Sequence, residues 1–152
     1  MKVQSSQPIL IVEDSPEDYE ATIRAFKKSR LFNPVFRCEN GDDALDYLFH
    51  RGRYQEREIS PRPGIILLDL NLPGTDGREV LKIIKSTPEI KMIPVIVLTT
   101  SIDRGDIEKC YFDGANSYMQ KPVDLNKFIE SIQRLKEYWF EISIIPEKAD
   151  DL

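Results

Sequence analysis

Long hydrophobic runs are missing from this chain. No apolar stretch approaches the roughly 20 residues a helix needs to cross a bilayer, so no membrane segment is expected. Cysteine is scarce: Cys38 and Cys110 are the two in 152 residues. Neither has a neighbour in sequence to pair with, so both read as reduced, partly buried small hydrophobes rather than a disulfide framework. An excess of basic residues is lacking too. Lys and Arg number 21 against 26 Asp and Glu, for a formal net charge of −5, which argues against a nucleic-acid-binding surface. The first eight residues are polar and carry no signal-peptide core, so a cytoplasmic protein is expected. There is no internal repeat and no low-complexity tract.

What is there is enough for one domain with a real core: 152 residues, 41% of them apolar. Short apolar runs recur, each ending in polar residues. Ile9–Val12 reads as a buried strand followed at once by Glu13 and Asp14. Ser15-Pro16 then suits a helix start, with Glu17 and Asp18 complementing the helix dipole. That helix should run to about Ser29 and bury Tyr19, Ile23 and Phe26. Pro34–Cys38 is a weaker strand, and Asn40-Gly41-Asp42 opens a helix with an apolar stripe of Ala44, Leu45, Leu48 and Phe49. Ile65–Leu68 is a strand expected to be buried on both faces, and it ends at Asp69. Arg78–Ser86 should pack Val80, Leu81 and Ile84. Ile93–Leu98 forms a strand ending in Thr99-Thr100-Ser101, Asp103–Asp113 a helix, and Asn116–Gln120 a short strand ending at Lys121-Pro122. Asp124 caps a last helix with Leu125, Phe128, Ile129, Ile132, Leu135 and Trp139 along one side. Five alternations of strand and helix predict an α/β protein, a doubly wound five-stranded parallel sheet with helices on both faces.

In such a sheet the carboxyl ends of the strands meet along one edge, where ligands bind. Glu13, Asp14, Asp69, Thr99 and Lys121 would therefore converge. Three close carboxylates repel unless one is protonated or a cation is present. Oxygen donors of this kind favour Mg²⁺ or another hard ion, which accepts phosphoryl oxygens as further ligands. A Lys ammonium and a Thr hydroxyl suit an incoming phosphoryl group, and an Asp carboxylate beside them can act as its nucleophile.

Ile11-Val12-Glu13-Asp14, Leu67 to Gly77, Val97 to Ser101 and Lys121-Pro122, in that order, resemble the receiver domain of two-component response regulators over about Gln7 to Tyr138. The resemblance implies a flavodoxin-like strand order of 2-1-3-4-5 and assigns roles. Asp69 would accept a phosphoryl group from the phosphohistidine of a histidine kinase. Glu13, Asp14, Asp69 and the Asn71 carbonyl would bind Mg²⁺, with Mn²⁺ or Ca²⁺ as substitutes. Thr99 and Lys121 would hold phosphoryl oxygens, Thr99 and Tyr118 would form the switch, and Asn71 and Ser101 would tune dephosphorylation. A cis peptide before Pro122 is also implied. Glu13 stands where many receivers carry Asp. The long Arg51–Pro63 segment, the Leu-Asp-Leu-Asn-Leu-Pro wording, Leu-Thr-Thr-Ser and the late Trp139 resemble small regulators paired with phytochromes. They imply a phytochrome-type kinase as partner and a homodimer.

Residues 1–140 are expected to form the receiver and 141–152 a tail without an output domain. Phe140, Ile142, Ile144 and Ile145 make that tail too apolar for a solvated end. It is expected to join helix 4, strand 5 and helix 5 in a dimer or partner interface. Other readings stay open for single residues: Tyr118 as half-buried core, Trp139 as core or dimer anchor, His50 as a packing residue. The 51–63 loop reads as solvated or kinase-docking. Two rival functions are an Mg²⁺-dependent phosphohydrolase with an Asp nucleophile and a phosphorylation-independent adaptor. Asn71 stands where such hydrolases usually carry their second acid, and the adaptor leaves an intact site without a use. A signalling module that turns over no external substrate is the expectation.

Overall fold

Side chains along a strand point alternately to opposite faces of its sheet, and four-residue apolar runs therefore feed two cores at once. In the computed structural model, which describes residues 7–146, the strands are β1 (Ile9–Val12), β2 (Val35–Cys38), β3 (Ile65–Leu68), β4 (Val95–Thr99) and β5 (Ser117–Gln120). They alternate with α1 (Pro16–Lys28), α2 (Gly41–Phe49), α3 (Gly77–Ser86), α4 (Arg104–Phe112) and α5 (Leu125–Lys136). The sheet runs β2-β1-β3-β4-β5, parallel throughout, the doubly wound order expected.

Leu10, Val12, Ile66, Leu68, Val95 and Val97 face one layer, built with Leu45 and Leu48 of α2, Val80, Leu81 and Ile84 of α3, and Cys110 of α4. Ile9, Ile11, Ile65, Leu67, Ile96 and Leu98 face the other, built with Ala25 and Phe26 of α1 and Phe128, Ile132 and Leu135 of α5. Helix starts follow local chemistry: the side chains of Ser15, Asn40, Asp76, Asp103 and Asp124 each accept a hydrogen bond from a backbone N–H of the first turn. Both cysteines are free and buried. No described helix is long and apolar enough to cross a membrane.

Several expectations shift. The buried line of α1 is Thr22, Ala25 and Phe26, with Tyr19 and Ile23 at its margin. Small Ala25 permits close approach, Thr22 satisfies its hydroxyl on the Asp18 carbonyl at 2.9 Å, and Tyr19 carries the Arg37 guanidinium over its ring. In α2, Tyr47 is buried where Phe49 was expected to be, because its hydroxyl finds the Pro61 carbonyl at 2.8 Å. Leu125 stays exposed beside the capping Asp124, one turn before the buried stripe begins. The expected cis bond before Pro122 is absent, since every described peptide bond is trans, the lower-energy isomer even before proline.

The 51–63 segment is not simply solvated. Gly52–Tyr54 forms a 3-10 turn, Tyr54 packs on Tyr47 with ring centroids 5.3 Å apart, and buried Ser60 donates to the Tyr54 and Glu56 carbonyls. Past α5 the helix widens into a π-helical segment, Glu137–Ile142. Phe140 and Ile145 turn into the α1/α5 layer, Trp139 is half-buried against it, and Ile142 and Ile144 remain exposed.

The turn after β3 depends on Gly77. A Cβ there would overlap the Asp69 carbonyl oxygen and stand 2.6 Å from Leu70 Cα. Both are backbone atoms, which cannot swing aside. Gly77→Ala is expected to destabilise the protein by about 1–3 kcal/mol, the usual cost of overpacking, read as a lower urea midpoint at an unchanged m-value.

Candidate functional site

Backbone hydrogen bonds carry the sheet one residue past its strands and fix where the site begins. Glu13 N–H donates to Cys38 O at 3.0 Å, Asp69 N–H to Val12 O at 3.1 Å and Lys121 N–H to Thr99 O at 2.7 Å. The side chains following β1, β3 and β5 are thereby set side by side, while Thr99 closes β4. Glu13, Asp69, Thr99 and Lys121 are all buried, and Asp14 is exposed.

The Lys121 ammonium donates to a carboxylate oxygen of Glu13, to Asp18 Oδ2 at 2.9 Å and to Asp69 Oδ2 at 3.1 Å. Carboxylate oxygens of Glu13, Asp14 and Asp69 lie within 4.8 Å of one another. Burial pushes the Glu13 carboxyl up to about 7, the nearby Asp69 charge adding to the rise and Lys121 opposing it. Burial pulls Lys121 the other way, towards neutrality, but its bonds to Glu13 and Asp18 outweigh that and raise its pKa, so it stays an ammonium. Four carboxylates around one ammonium leave an excess of negative charge. Three converging oxygen donors are what a hard divalent cation takes from protein, and the residues fit such an ion.

Asp18 was not singled out from the sequence beyond its dipole role. It sits in the first turn of α1, where its N–H donates to the Ser15 hydroxyl at 3.2 Å. The signal available was its place one turn beyond Glu13-Asp14. Asn71 is exposed, and its N–H approaches Asp69 Oδ1 at 3.4 Å.

A second set of contacts leads from the site along the loop after β4. Tyr118 is half-buried and donates its hydroxyl to the Ser101 carbonyl at 3.0 Å. Ser101 Oγ donates to Asp106 Oδ2 at 2.9 Å. Asp106 is gripped by Arg78 of α3 through two bonds, Nε to Oδ1 at 2.7 Å and Nη2 to Oδ2 at 2.8 Å, the planar bidentate geometry arginine favours. Arg78 reaches Asp76 as well, at 3.0 Å. α3, α4, β5 and the loop at Ser101 are joined by this chain of bonds, none of which sequence spacing announces. His50 lies elsewhere, at the C-terminal end of α2 against Ser60.

Residues 9–133 match the family model of the response regulator receiver domain. The response regulator Rcp1 of Synechocystis is 39% identical over 148 residues, covering 96% of this chain and 99% of that protein. The structure of its Mn²⁺-bound form superposes with a TM-score of 0.85, covering 93% of this chain and 99% of that one. The phosphorylated cyanobacterial phytochrome response regulator RcpA is 37% identical, with a TM-score of 0.87 and the same two coverages.

The Arg78 bonds, opposed by burial and aided by Ser101, hold the Asp106 carboxyl down at about 2, below its ordinary 3.8. A depressed carboxyl contributes stability above its unfolded pKa and loses it as pH falls through the folded one. The stability gap between wild type and Asp106→Asn is therefore expected to be constant above about pH 5. It should narrow steadily from the ordinary value towards the depressed one. Urea titrations across that range check it.

Proposed function

The chain belongs to the response regulator receiver family, and on that footing we propose that Asp69 takes a phosphoryl group from a histidine kinase and that the protein signals through contacts changed by that event. The observation that supports this most is the Lys121 ammonium bonded to Asp69 inside a ring of acids. RcpA, matched over 93% of this chain and 99% of its own, is a cyanobacterial phytochrome response regulator. A phytochrome-type kinase is accordingly the partner we assign.

In this reading an Asp69 carboxylate oxygen attacks phosphorus, the P–N bond to the donor imidazole breaks, and an acyl phosphate forms. Lys121 pairs with the new anion, and the buried Thr99 hydroxyl donates to it. Receiver domains of this family bind Mg²⁺. Glu13, Asp14, Asp69 and the Asn71 carbonyl would hold the ion, which when bound neutralises the carboxylates and the phosphoryl oxygens. Catalysis here is positioning and charge balance, with little else for the protein to do. Asn71 and Ser101 flank the site and would set how readily water reaches the acyl phosphate. Thr99 and Tyr118 would carry the change outward, since the Tyr118 hydroxyl rests on Ser101, two residues beyond Thr99. No external substrate is turned over, and a cytoplasmic setting suits the kinase partner.

Residues 1–140 act as the receiver and 141–152 as a tail. Exposed Tyr111 and Phe112 on α4 and exposed Tyr138, Ile142 and Ile144 past α5 are apolar surface suited to a second copy. The homodimer would use α4, β5, α5 and the tail. Residues 147–152, also part of that expected tail, lie outside the described residues.

Intact-mass measurement after treatment with acetyl phosphate or phosphoramidate and Mg²⁺ is expected to show one added phosphoryl group in the wild type and none in Asp69→Asn. Modification persisting in the variant would overturn the assignment. Truncation after Tyr138 would also remove Phe140 and Ile145 from the core. Ile142→Glu with Ile144→Glu is the cleaner test of the dimer: sedimentation should shift towards monomer while the urea midpoint holds.

A further inference from the structure

A cavity of about 190 Å³ opens at the edge of the sheet opposite the acidic cluster, between the end of α2, the 51–63 segment and the turn after α3. Its position is set by chain direction: Pro63 precedes β3 and Ile93 precedes β4, whereas Asp69 and Thr99 follow or end those strands. Leu48, Ile90 and Ile93 give it an apolar wall, and all three are buried. Arg62 stands in that wall, half-buried.

Arg62 spends one Nη1 proton on the Glu89 carbonyl at 2.8 Å. Among the described residues no carboxylate is paired with it, and its pKa is lowered by burial alone. Arg51, Arg53 and Arg78, by contrast, each have a carboxylate within reach. Glu89 also lines the cavity, but the residue is exposed and its charge is left to water. A partly desolvated guanidinium in the lining of a cavity with one apolar wall, bonded to a neutral carbonyl and to no carboxylate among the described residues, is an incomplete recognition site.

We propose that this cavity binds a small carboxylic acid with an apolar body, its carboxylate on the Arg62 guanidinium and its body against Leu48, Ile90 and Ile93. The fork of an arginine matches a carboxylate through two parallel bonds. Arg57 and His50 also line the cavity, but inorganic phosphate or a phosphate ester suits the site less well, because the Glu89 carboxylate in the same lining repels a dianion more strongly than a monoanion and the apolar wall leaves phosphoryl oxygens unpaired. The Ser60 hydroxyl is already committed to the Tyr54 and Glu56 carbonyls, with His50 Nδ1 at 3.2 Å beside it. The volume lies below the range of drug-sized sites and fits a compact molecule. The proposal does not depend on the phosphoacceptor reading, since no residue is shared between the two sites.

Benzoate, its neutral isostere benzamide and inorganic phosphate serve as probes, each titrated into the full-length protein with isoleucine methyl groups labelled for NMR. Benzoate is expected to shift the Ile90 and Ile93 methyl resonances saturably, with Arg62→Gln weakening the affinity at least tenfold and benzamide binding at least tenfold more weakly than benzoate. Arg62→Gln keeps a donor for the Glu89 carbonyl, and its urea midpoint shows whether it folds. Arg62→Lys, which retains the charge but not the fork, should fall between the two and keeps the test open if Arg62→Gln unfolds. Equal binding of benzamide, preference for phosphate, shifts confined to other isoleucines, or affinity indifferent to both Arg62 variants would overturn the proposal.

Discussion

One buried ammonium set among carboxylates governs the working end of this molecule. Lys121 touches Glu13, Asp18 and Asp69, with Asp14 alongside. Charges taken from water must be matched nearby, or the loss of hydration exceeds the attraction. A single ammonium cannot match four acids. The residues therefore fit a cation supplied from outside that balances the acids, and in the proposed function a phosphoryl group with which Lys121 would pair. The residues after β1, β3 and β5 that support it are each held by a backbone bond to the neighbouring strand.

Much of this was legible in the order of residues. Apolar runs such as Ile9–Val12 and Ile65–Leu68 announce strands buried on both faces, and the polar residue after each run marks the edge where they gather. Contacts between elements distant in sequence were not legible. The grip of Arg78 on Asp106 joins α3 to α4 across 28 positions, and nothing in the local pattern of either helix requires it. Asp18 reads as a dipole partner because helix starts commonly carry acids there; only the fold brings Lys121 to it. In α2, amphipathic spacing favours Phe49, yet a hydroxyl acceptor at Pro61 draws Tyr47 inside instead. Polar partners decide such cases, and periodicity does not see them.

The end of the chain shows a related ambiguity. Phe140, Ile142, Ile144 and Ile145 look alike in the sequence, and together they suggest a sticky tail. The structure divides them: Phe140 within the π-helical turn and Ile145 beyond it pack into the layer of α1 and α5, and the other two stay outside. The same segment thus completes the fold and offers surface.

Because successive strand side chains go to opposite layers, the α1/α5 side and the α2/α3/α4 side share a backbone but few side chains. Substitutions confined to one layer should combine nearly additively with those in the other. Natural drift can then reshape one helix layer while the opposite half and the strand tips are inherited unchanged. A sheet with two insulated sides lets one flank of the molecule vary while the packing of the other stays as it was.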